Sequence, residues 1–181
     1  MMEFLSAFGA LVCHQLPERS LFFAGQQVFV CARDVGIYLG VLAGFALFYA
    51  LKERGSELNL RHLVLLMLPV AVDGLTQLAG WESTNGLRLF TGGLFGVAMS
   101  CMMVFLYDRM FETGTCETPS DRAVLGAAGI GGLMVGVAYL PQNVYSFWLV
   151  SIGTFISIVL VITGLAFFIG LVLYRKIRWN R

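Results

Sequence analysis

The N-terminal part of the sequence carries a group of side chains of the kinds that bind transition metals. Cys13 and His14 are adjacent, and Cys31 precedes Asp34 by three residues. Thiolate sulfur, imidazole nitrogen and carboxylate oxygen all ligate first-row metals, and zinc is the simplest choice for such a mixture. We therefore predict a metal site, with zinc as the candidate cofactor, formed by Cys13, His14, Cys31 and Asp34.

The two cysteines also allow a different interpretation. The sequence has neither a CxxC nor an HExxH motif, and adjacent Cys and His residues are an unusual ligand pair. If Cys13 and Cys31 face an oxidising compartment, they can form a disulfide that ties the N-terminal segment to the first long apolar stretch. The residues alone leave both the metal site and the disulfide open.

A second group of polar side chains lies between residues 73 and 91. Asp73, Gln77 and Trp81 recur every four residues and so share one face of a helix, while Arg88 and Thr91 share a face of another. A carboxylate inside an apolar helix is costly and is a functional candidate by default. We predict Asp73 and Arg88 as catalytic residues, with Asp73 as a general base or proton relay. The residues predicted to bind a substrate are Arg33, Gln77, Ser83, Asn85 and Thr91.

The charged residues of both groups have a simpler structural interpretation as well. Asp73 can pair with Arg88, or Asp34 with Arg33, to hold helices in register. His14 can be a hydrogen-bonded histidine at the membrane interface. These alternatives need no ligand, so the sequence by itself does not choose between a site and a set of ion pairs.

Charge is sparse along the chain and unevenly distributed. Hydrophobic residues make up 58% of the 181 residues and charged residues 13%, against about 25% charged in a typical soluble domain, and the mean hydropathy is +0.80. Five stretches carry almost no charge, and each approaches or exceeds the ~17 residues that cross a bilayer core as a helix. We predict a single polytopic domain over residues 1–181, an all-α integral membrane protein with about five transmembrane helices. The predicted spans lie near residues 35–51, 63–81, 89–107, 123–140 and 144–174.

The positions of the basic residues predict how the chain crosses the membrane. Lysine and arginine concentrate after the first, third and fifth spans. Because basic loops stay in the cytoplasm, we predict a multi-pass protein of the cell inner or plasma membrane with a cytoplasmic C-terminus. Residues 1–34 then form an extracytoplasmic segment, whose apolar start is too short to span and predicts an interfacial or re-entrant helix. The net charge of +1 argues against nucleic acid as a partner.

Both polar groups fall at the outer face under this topology. The second span rises from Asp73 to Trp81, which lie about 12 Å apart along a helix, and the third span descends from Arg88. The first span begins just after Cys31. We therefore expect the two groups to form the walls of one pocket in the outer half of the membrane.

The motifs around these residues resemble those of a family of small prokaryotic membrane proteins of unknown function. The family pattern has Cys-His-Gln followed by Arg-Ser, and Cys-Ala-Arg-Cys followed by Gly-Ile-Tyr and a further Gly. It also has an Asp-Gly-x-x-Gln helix and a Ser-x-Asn-x-x-Arg-x-x-Thr-Gly turn. The corresponding residues here are Cys13-His14-Gln15, Arg19-Ser20, Cys31-Ala32-Arg33-Asp34, Gly36-Ile37-Tyr38, Gly40, Asp73-Gly74, Gln77, Ser83, Asn85, Arg88 and Thr91-Gly92.

The resemblance covers residues 13–92 and departs at one position of the pattern. Asp34 stands where the family pattern has a second cysteine. A carboxylate can ligate a metal, but it cannot close a disulfide. The resemblance implies a shared site in the outer half of the membrane, and it supplies no reaction.

Three functions are compatible with these residues. The first is a metal-dependent membrane enzyme acting on a lipid or lipid-linked substrate, with Arg88 holding an anionic group; four protein ligands, however, would close the metal to a substrate. The second is a subunit that binds or transports a small solute. The third is a structural or accessory subunit of a larger membrane complex, with a Cys13–Cys31 disulfide. Because no hydrolase motif is present, the residues alone leave enzyme activity undecided.

Overall fold

The structure, a computed structural model, describes residues 2–51, 60–111 and 121–179. Within these ranges the chain forms six α-helices and two short β-strands. The helices are α1 (Met2–Gly9), α2 (Ala32–Leu51), α3 (Leu60–Leu78), α4 (Asn85–Phe111), α5 (Asp121–Val137) and α6 (Val144–Trp179). The strands are β1 (Ser20–Phe23) and β2 (Gln26–Cys31). The described chain is therefore predominantly helical, as the hydropathy pattern predicts.

Four of these helices are long and apolar enough to cross a membrane, namely α2, α3, α4 and α6. Helix α5 is apolar but has 17 residues, which gives about 26 Å of helix against a hydrocarbon core of about 30 Å. It is shorter than the span predicted near 123–140 because residues 138–140 already turn before Pro141. The helical membrane class is confirmed, while the number of five spans stays a prediction.

The N-terminal segment contains a β-hairpin that the sequence analysis did not predict. Strands β1 and β2 pair antiparallel, and the turn residues Ala24 and Gly25 have φ angles of 51° and 74°. Positive φ at both positions is typical of a two-residue hairpin turn, and glycine adopts it readily. Two apolar runs, 21–23 and 28–30, flank this turn and were the signal available in the sequence. The predicted N-terminal helix is present as α1, with eight residues.

Helices α2 and α4 cross at very short distance through glycine residues. A Cβ atom on Gly40 would lie 2.6 Å from the Gly93 carbonyl oxygen, and one on Gly92 would collide with the carbonyl oxygen of Arg33. Helices whose backbones approach this closely need residues without side chains at the crossing point. This contact places Arg33, in the first turn of α2, directly against the start of α4.

A hydrophobic core holds the hairpin against the same ends of the helices. Val28 and Val30 of β2 are fully buried together with Val35 of α2 and Leu89 of α4, and Phe147 at the start of α6 packs beside them. Burying one such side chain contributes about 1.5–3 kcal/mol. The hairpin therefore lies over the helix ends at which the sequence places both polar groups.

Candidate functional site

A pocket of about 440 Å³ opens between the N-terminal segment and the adjoining ends of the helices. Its lining includes side chains from α2, α3 and α4 as well as from the segment that precedes the hairpin. The chemically active side chains on its wall are Cys13, His14, Arg19, Cys31, Arg33, Asp34, Gln77 and Arg88. The fold thus brings residues from both polar groups to one cavity.

Cys13, Cys31 and Asp34 form a compact group on one side of this pocket. The Cys13 sulfur accepts a hydrogen bond from the Cys31 backbone N–H at 3.2 Å, and the Cys31 thiol donates to the Asp34 Oδ2 atom at 3.2 Å. One ligand atom from each of the three residues lies within 4.8 Å of the other two. Two sulfurs and a carboxylate oxygen at this separation could serve as three ligands of one metal ion. Both thiols are free.

Gln15 holds the segment that carries Cys13 against strand β2. Its side-chain amide donates to the Ser6 carbonyl oxygen at 2.7 Å and to the Phe29 carbonyl oxygen at 2.9 Å. Its own carbonyl oxygen accepts from the Gln27 amide at 2.8 Å, and its φ angle of 52° turns the chain sharply. Gln15 therefore brings Cys13 to Cys31, a role that the sequence analysis did not assign to it.

His14 lies apart from the compact group, although it was predicted as a fourth ligand. Its side chain is exposed and lines the pocket, but its ring nitrogens are not among the atoms within 4.8 Å of one another. The described structure therefore groups three of the four predicted ligands.

The two thiols of the group differ in acidity because they share a hydrogen bond. The hydrogen bond from Cys31 lowers the pKa of the Cys13 thiol below its ordinary value. The pKa of the Cys31 thiol is raised, first because its own proton faces the Cys13 sulfur, and further because burial and the nearby Asp34 carboxylate disfavour its thiolate. Cys13 is therefore the first of the pair to ionise, and a metal that binds both sulfurs must displace the remaining proton.

Arg33 and Asp73 form a buried ion pair that joins α2 to α3. The Arg33 Nε and Nη2 atoms donate to the Asp73 Oδ2 atom at 2.9 and 2.5 Å, and the Thr91 hydroxyl on α4 donates to the same oxygen at 3.5 Å. The Asp73 side chain is 2% exposed. This pair differs from both pairs considered in the sequence, because the glycine crossing brings Arg33 rather than Arg88 to the carboxylate.

The second oxygen of Asp73 is not engaged by this network. Asp73 Oδ1 is buried and has no hydrogen-bond partner, and Arg33 lines the pocket whereas Asp73 does not. The carboxylate that was predicted as a general base or proton relay therefore does not line the cavity. The catalytic role of Asp73 stays a prediction, and its contacts describe a residue that positions Arg33.

Arg88 is held in place by neutral acceptors. Its Nε atom donates to the Ser83 hydroxyl at 3.1 Å, and its Nη1 atom donates to the Asn85 Oδ1 atom at 3.3 Å and to the Glu18 carbonyl oxygen at 3.4 Å. Asn85 in turn donates to the Ser20 carbonyl oxygen at 3.0 Å. Ser83 and Asn85, which were predicted to bind a substrate, thus act here as supports for the guanidinium.

Arg19 is a pocket residue that the sequence analysis did not assign to the site. Its Nη1 atom donates to the Gln77 Oε1 atom at 3.4 Å, and its Nη2 atom lies 3.8 Å from the Glu82 carboxylate. Gln77 also donates to the Ser83 hydroxyl at 3.1 Å. Arg19 is the last residue of a short 3-10 turn at residues 17–19, directly before strand β1.

The long apolar helices and the polar pocket at one end of them define a helical integral membrane protein. Residues 13–102 match the sequence model of a family described as "Predicted membrane protein (DUF2085)". This range contains all the residues on which the resemblance described above was based.

The chain belongs to this family, and it is also similar to two archaeal proteins. An uncharacterized protein of Methanocaldococcus jannaschii is 44% identical over 109 residues, which cover 59% of this chain and 70% of the relative. An uncharacterized protein of Methanothermobacter thermautotrophicus is 36% identical over 92 residues, which cover 50% of this chain and 83% of the relative. No solved structure gives a significant match.

Proposed function

We propose that this protein is a metal-dependent membrane enzyme that acts on a lipid or lipid-linked substrate. The observation that supports the proposal most directly is the group of Cys13, Cys31 and Asp34 on the wall of the pocket. These residues supply three protein ligands, and the cavity beside them leaves a fourth coordination position open to a substrate. Catalytic zinc sites typically have three protein ligands and one open position, whereas structural sites have four.

The separation of the three ligand atoms is compatible with a zinc ion. Zinc binds sulfur at about 2.3 Å and carboxylate oxygen at about 2.0–2.2 Å, so the ligand atoms of a tetrahedral site lie about 3.4–3.8 Å apart. The atoms here lie within 4.8 Å of one another, so small side-chain rotations suffice. Because His14 lies outside the group, the objection that four ligands would exclude a substrate does not apply to this geometry.

The chemistry proposed for the site divides between the metal and the arginines. Zinc supplies an activated water and polarises a substrate oxygen. Arg88 faces the same cavity and holds an anionic part of the substrate through charge-assisted hydrogen bonds, while Arg33 lines the cavity beside it. Asp73 positions Arg33 through their ion pair. The proposed partners of the protein are the bilayer and a lipid substrate.

The surroundings of the pocket support a substrate that arrives from the membrane. Leu78, the last residue of α3, and Trp81, which follows the helix after a short turn, are 86% and 78% exposed. Tryptophan at a helix end is typical of the membrane interface. Apart from Arg19, Arg33 and Arg88, the lysines and arginines of the sequence lie near the opposite helix ends or in the segments that join or follow them. We therefore place the pocket at the outer face, with α5 as a fifth span.

The second candidate is a structural subunit with a Cys13–Cys31 disulfide. It is favoured by the same proximity of the two sulfurs, which lie within 4.8 Å of each other. Such a bond would tie the end of β2 to the segment after α1. Oxidation of the pair and metal binding exclude each other, since a disulfide has no thiolate to offer.

Elemental analysis and thiol counting on one preparation distinguish the two candidates. The full chain is purified without a histidine tag and without added metal, and thiols are counted after denaturation in a chelator. We expect about one zinc per chain and four reactive thiols, which is the full number of cysteines in the sequence. Absence of metal together with only two reactive thiols would exclude the metal site and establish the disulfide.

One variant and a matched control test Cys31 as a zinc ligand in the same assay. Cys31→Ser should lose most of the zinc, because it removes a thiolate ligand. Cys101→Ser is the matched control, since Cys101 is buried in α4 at a distance from the pocket lining and should keep the zinc content of the wild type. Equal zinc content in both variants would contradict the assignment of Cys31.

A further inference from the structure

Arg88 is a buried cation that forms no ion pair with a carboxylate of the described residues. It is 2% exposed, and none of the carboxylates in the described ranges lies within 4.0 Å of its guanidinium nitrogens. The acceptors around it are the Ser83 hydroxyl, the Asn85 amide oxygen and the Glu18 carbonyl oxygen. All three are neutral, so they orient the guanidinium without compensating its charge.

The guanidinium also keeps donor capacity that these acceptors do not use. Arg88 Nη2 is buried and has no hydrogen-bond partner, although Arg88 lines the pocket. An arginine is always charged and carries five N–H donors in a planar fork. A buried charge that lacks a partner is strongly unfavourable. An anion bound in the cavity would compensate this charge and accept a hydrogen bond from the unused donor.

A second arginine faces the same cavity with an unused donor. Arg19 Nε is buried without a hydrogen-bond partner, and Arg19 lines the pocket. Its nearest carboxylate is the Glu82 side chain at 3.8 Å, which is 65% exposed and therefore well screened. Arg33, by contrast, is neutralised by Asp73 at 2.5 Å. Among the arginines that line the pocket, Arg88 and Arg19 are thus the ones with a buried donor that has no partner in the described structure.

We propose that the pocket binds a phosphate group, held between the guanidinium groups of Arg88 and Arg19. A phosphate offers several terminal oxygens, so it can accept hydrogen bonds from two guanidinium groups at once. Arg88 also lies in the first turn of α4, where the positive end of the helix dipole favours an anion. The proposal rests on the function proposed above, because the phosphate is the anionic part of that substrate. Phosphate binding itself does not require the metal.

The phosphate can come from a soluble ion or from a phospholipid headgroup, and two arms of one experiment distinguish them. The full chain in detergent is treated with a chelator, and its thermal unfolding is followed with increasing inorganic phosphate in one arm. In the other arm, mixed micelles contain phosphatidic acid, with diacylglycerol as the phosphate-free lipid control. Acetate at equal ionic strength controls for screening of charge.

We expect phosphate in at least one arm to raise the unfolding temperature of the wild type, with no effect of acetate or diacylglycerol. Arg88→Gln should weaken the apparent phosphate affinity about tenfold or more, as loss of a charge-assisted hydrogen bond predicts. Arg122→Gln is the matched control, since Arg122 is an exposed arginine at the start of α5, at the opposite end of the bundle. It should bind phosphate like the wild type.

Arg19→Gln provides an independent test if Arg88→Gln does not fold. Arg19 is partly exposed, so its replacement perturbs the core less, and we expect a similar loss of affinity. The proposal is overturned if neither phosphate arm stabilises the wild type, if acetate stabilises it equally, or if the pocket variants bind like Arg122→Gln. Zinc measured separately keeps the two proposals apart: phosphate binding without zinc refutes only the metal, and zinc without phosphate binding refutes only this inference.

Discussion

The guanidinium of Arg33 donates two hydrogen bonds to a single oxygen of Asp73, 40 residues away in the sequence. The carboxylate is almost completely buried, while the Arg33 side chain is 23% exposed and reaches the pocket. The negative charge of the pair therefore lies in the interior of the helix bundle, and its positive charge lies at the wall of the cavity. The pair is also a direct contact of the first turn of α2 with α3, which otherwise packs mainly against α4.

Replacement of Asp73 by Asn should destabilise the protein substantially. The variant leaves Arg33 without its counter-charge, and breaking a buried ion pair in this way costs about 3 kcal/mol or more. Thermal or denaturant unfolding in detergent measures the change. Glu82→Gln is the control, because the exposed Arg19–Glu82 pair contributes no more than about 1 kcal/mol. If Asp73→Asn unfolds like the wild type, the pair does not hold the helices together.

Replacement of Asp34 by Cys should keep the metal and bind it more tightly. The variant restores the cysteine of the pattern that this chain resembles, and thiolate is a softer zinc ligand than carboxylate. Asp34→Asn, which retains the size of the side chain without its charge, should weaken zinc binding at least about tenfold. Competition with a chromogenic chelator measures both affinities. Unchanged affinity in Asp34→Asn would remove Asp34 from the ligand set.

Replacement of Gly92 by Ala should disturb the site from the interior of the bundle. The added methyl group would collide with the carbonyl oxygen of Arg33, and the resulting helix displacement should cost about 1–3 kcal/mol. Gly136→Ala is the matched control on α5, where a Cβ meets nothing within 4 Å and alanine favours the helix by up to about 1 kcal/mol. Equal stability of both variants in the unfolding assay would show that α2 and α4 can separate without cost.

The proposed topology predicts opposite labelling of the two ends of α6. Tyr145 and Tyr174 are both exposed and lie about 44 Å apart along the helix, which exceeds the hydrocarbon thickness. In a chain whose native cysteines are replaced by serine, Tyr145→Cys should react with a membrane-impermeant maleimide in intact cells. Tyr174→Cys should react only after lysis. The reverse pattern would place the pocket on the cytoplasmic side.

The class of the protein and the positions of its long helices could be predicted from the sequence. A bilayer core requires an apolar stretch of a minimum length, and this requirement is local, so hydropathy along the chain is enough to detect it. The same local patterning placed Asp73 and Gln77 on one helix face. The N-terminal hairpin was missed because its two apolar runs are short, and short runs between helices carry a weak signal.

The partners of the polar residues were decided only by the tertiary structure. Cys13 meets Cys31 because the hairpin reverses the chain and hydrogen bonds of Gln15 hold it there, whereas the ring nitrogens of the adjacent His14 lie outside this group. Arg33 rather than Arg88 reaches Asp73 because glycines let α2 and α4 approach closely. Sequence spacing determines which residues share one helix face, but the rotation and separation of neighbouring helices depend on packing over the whole bundle. That packing leaves Arg88 buried at the pocket without an ion pair to any carboxylate in the part of the chain that the structure describes.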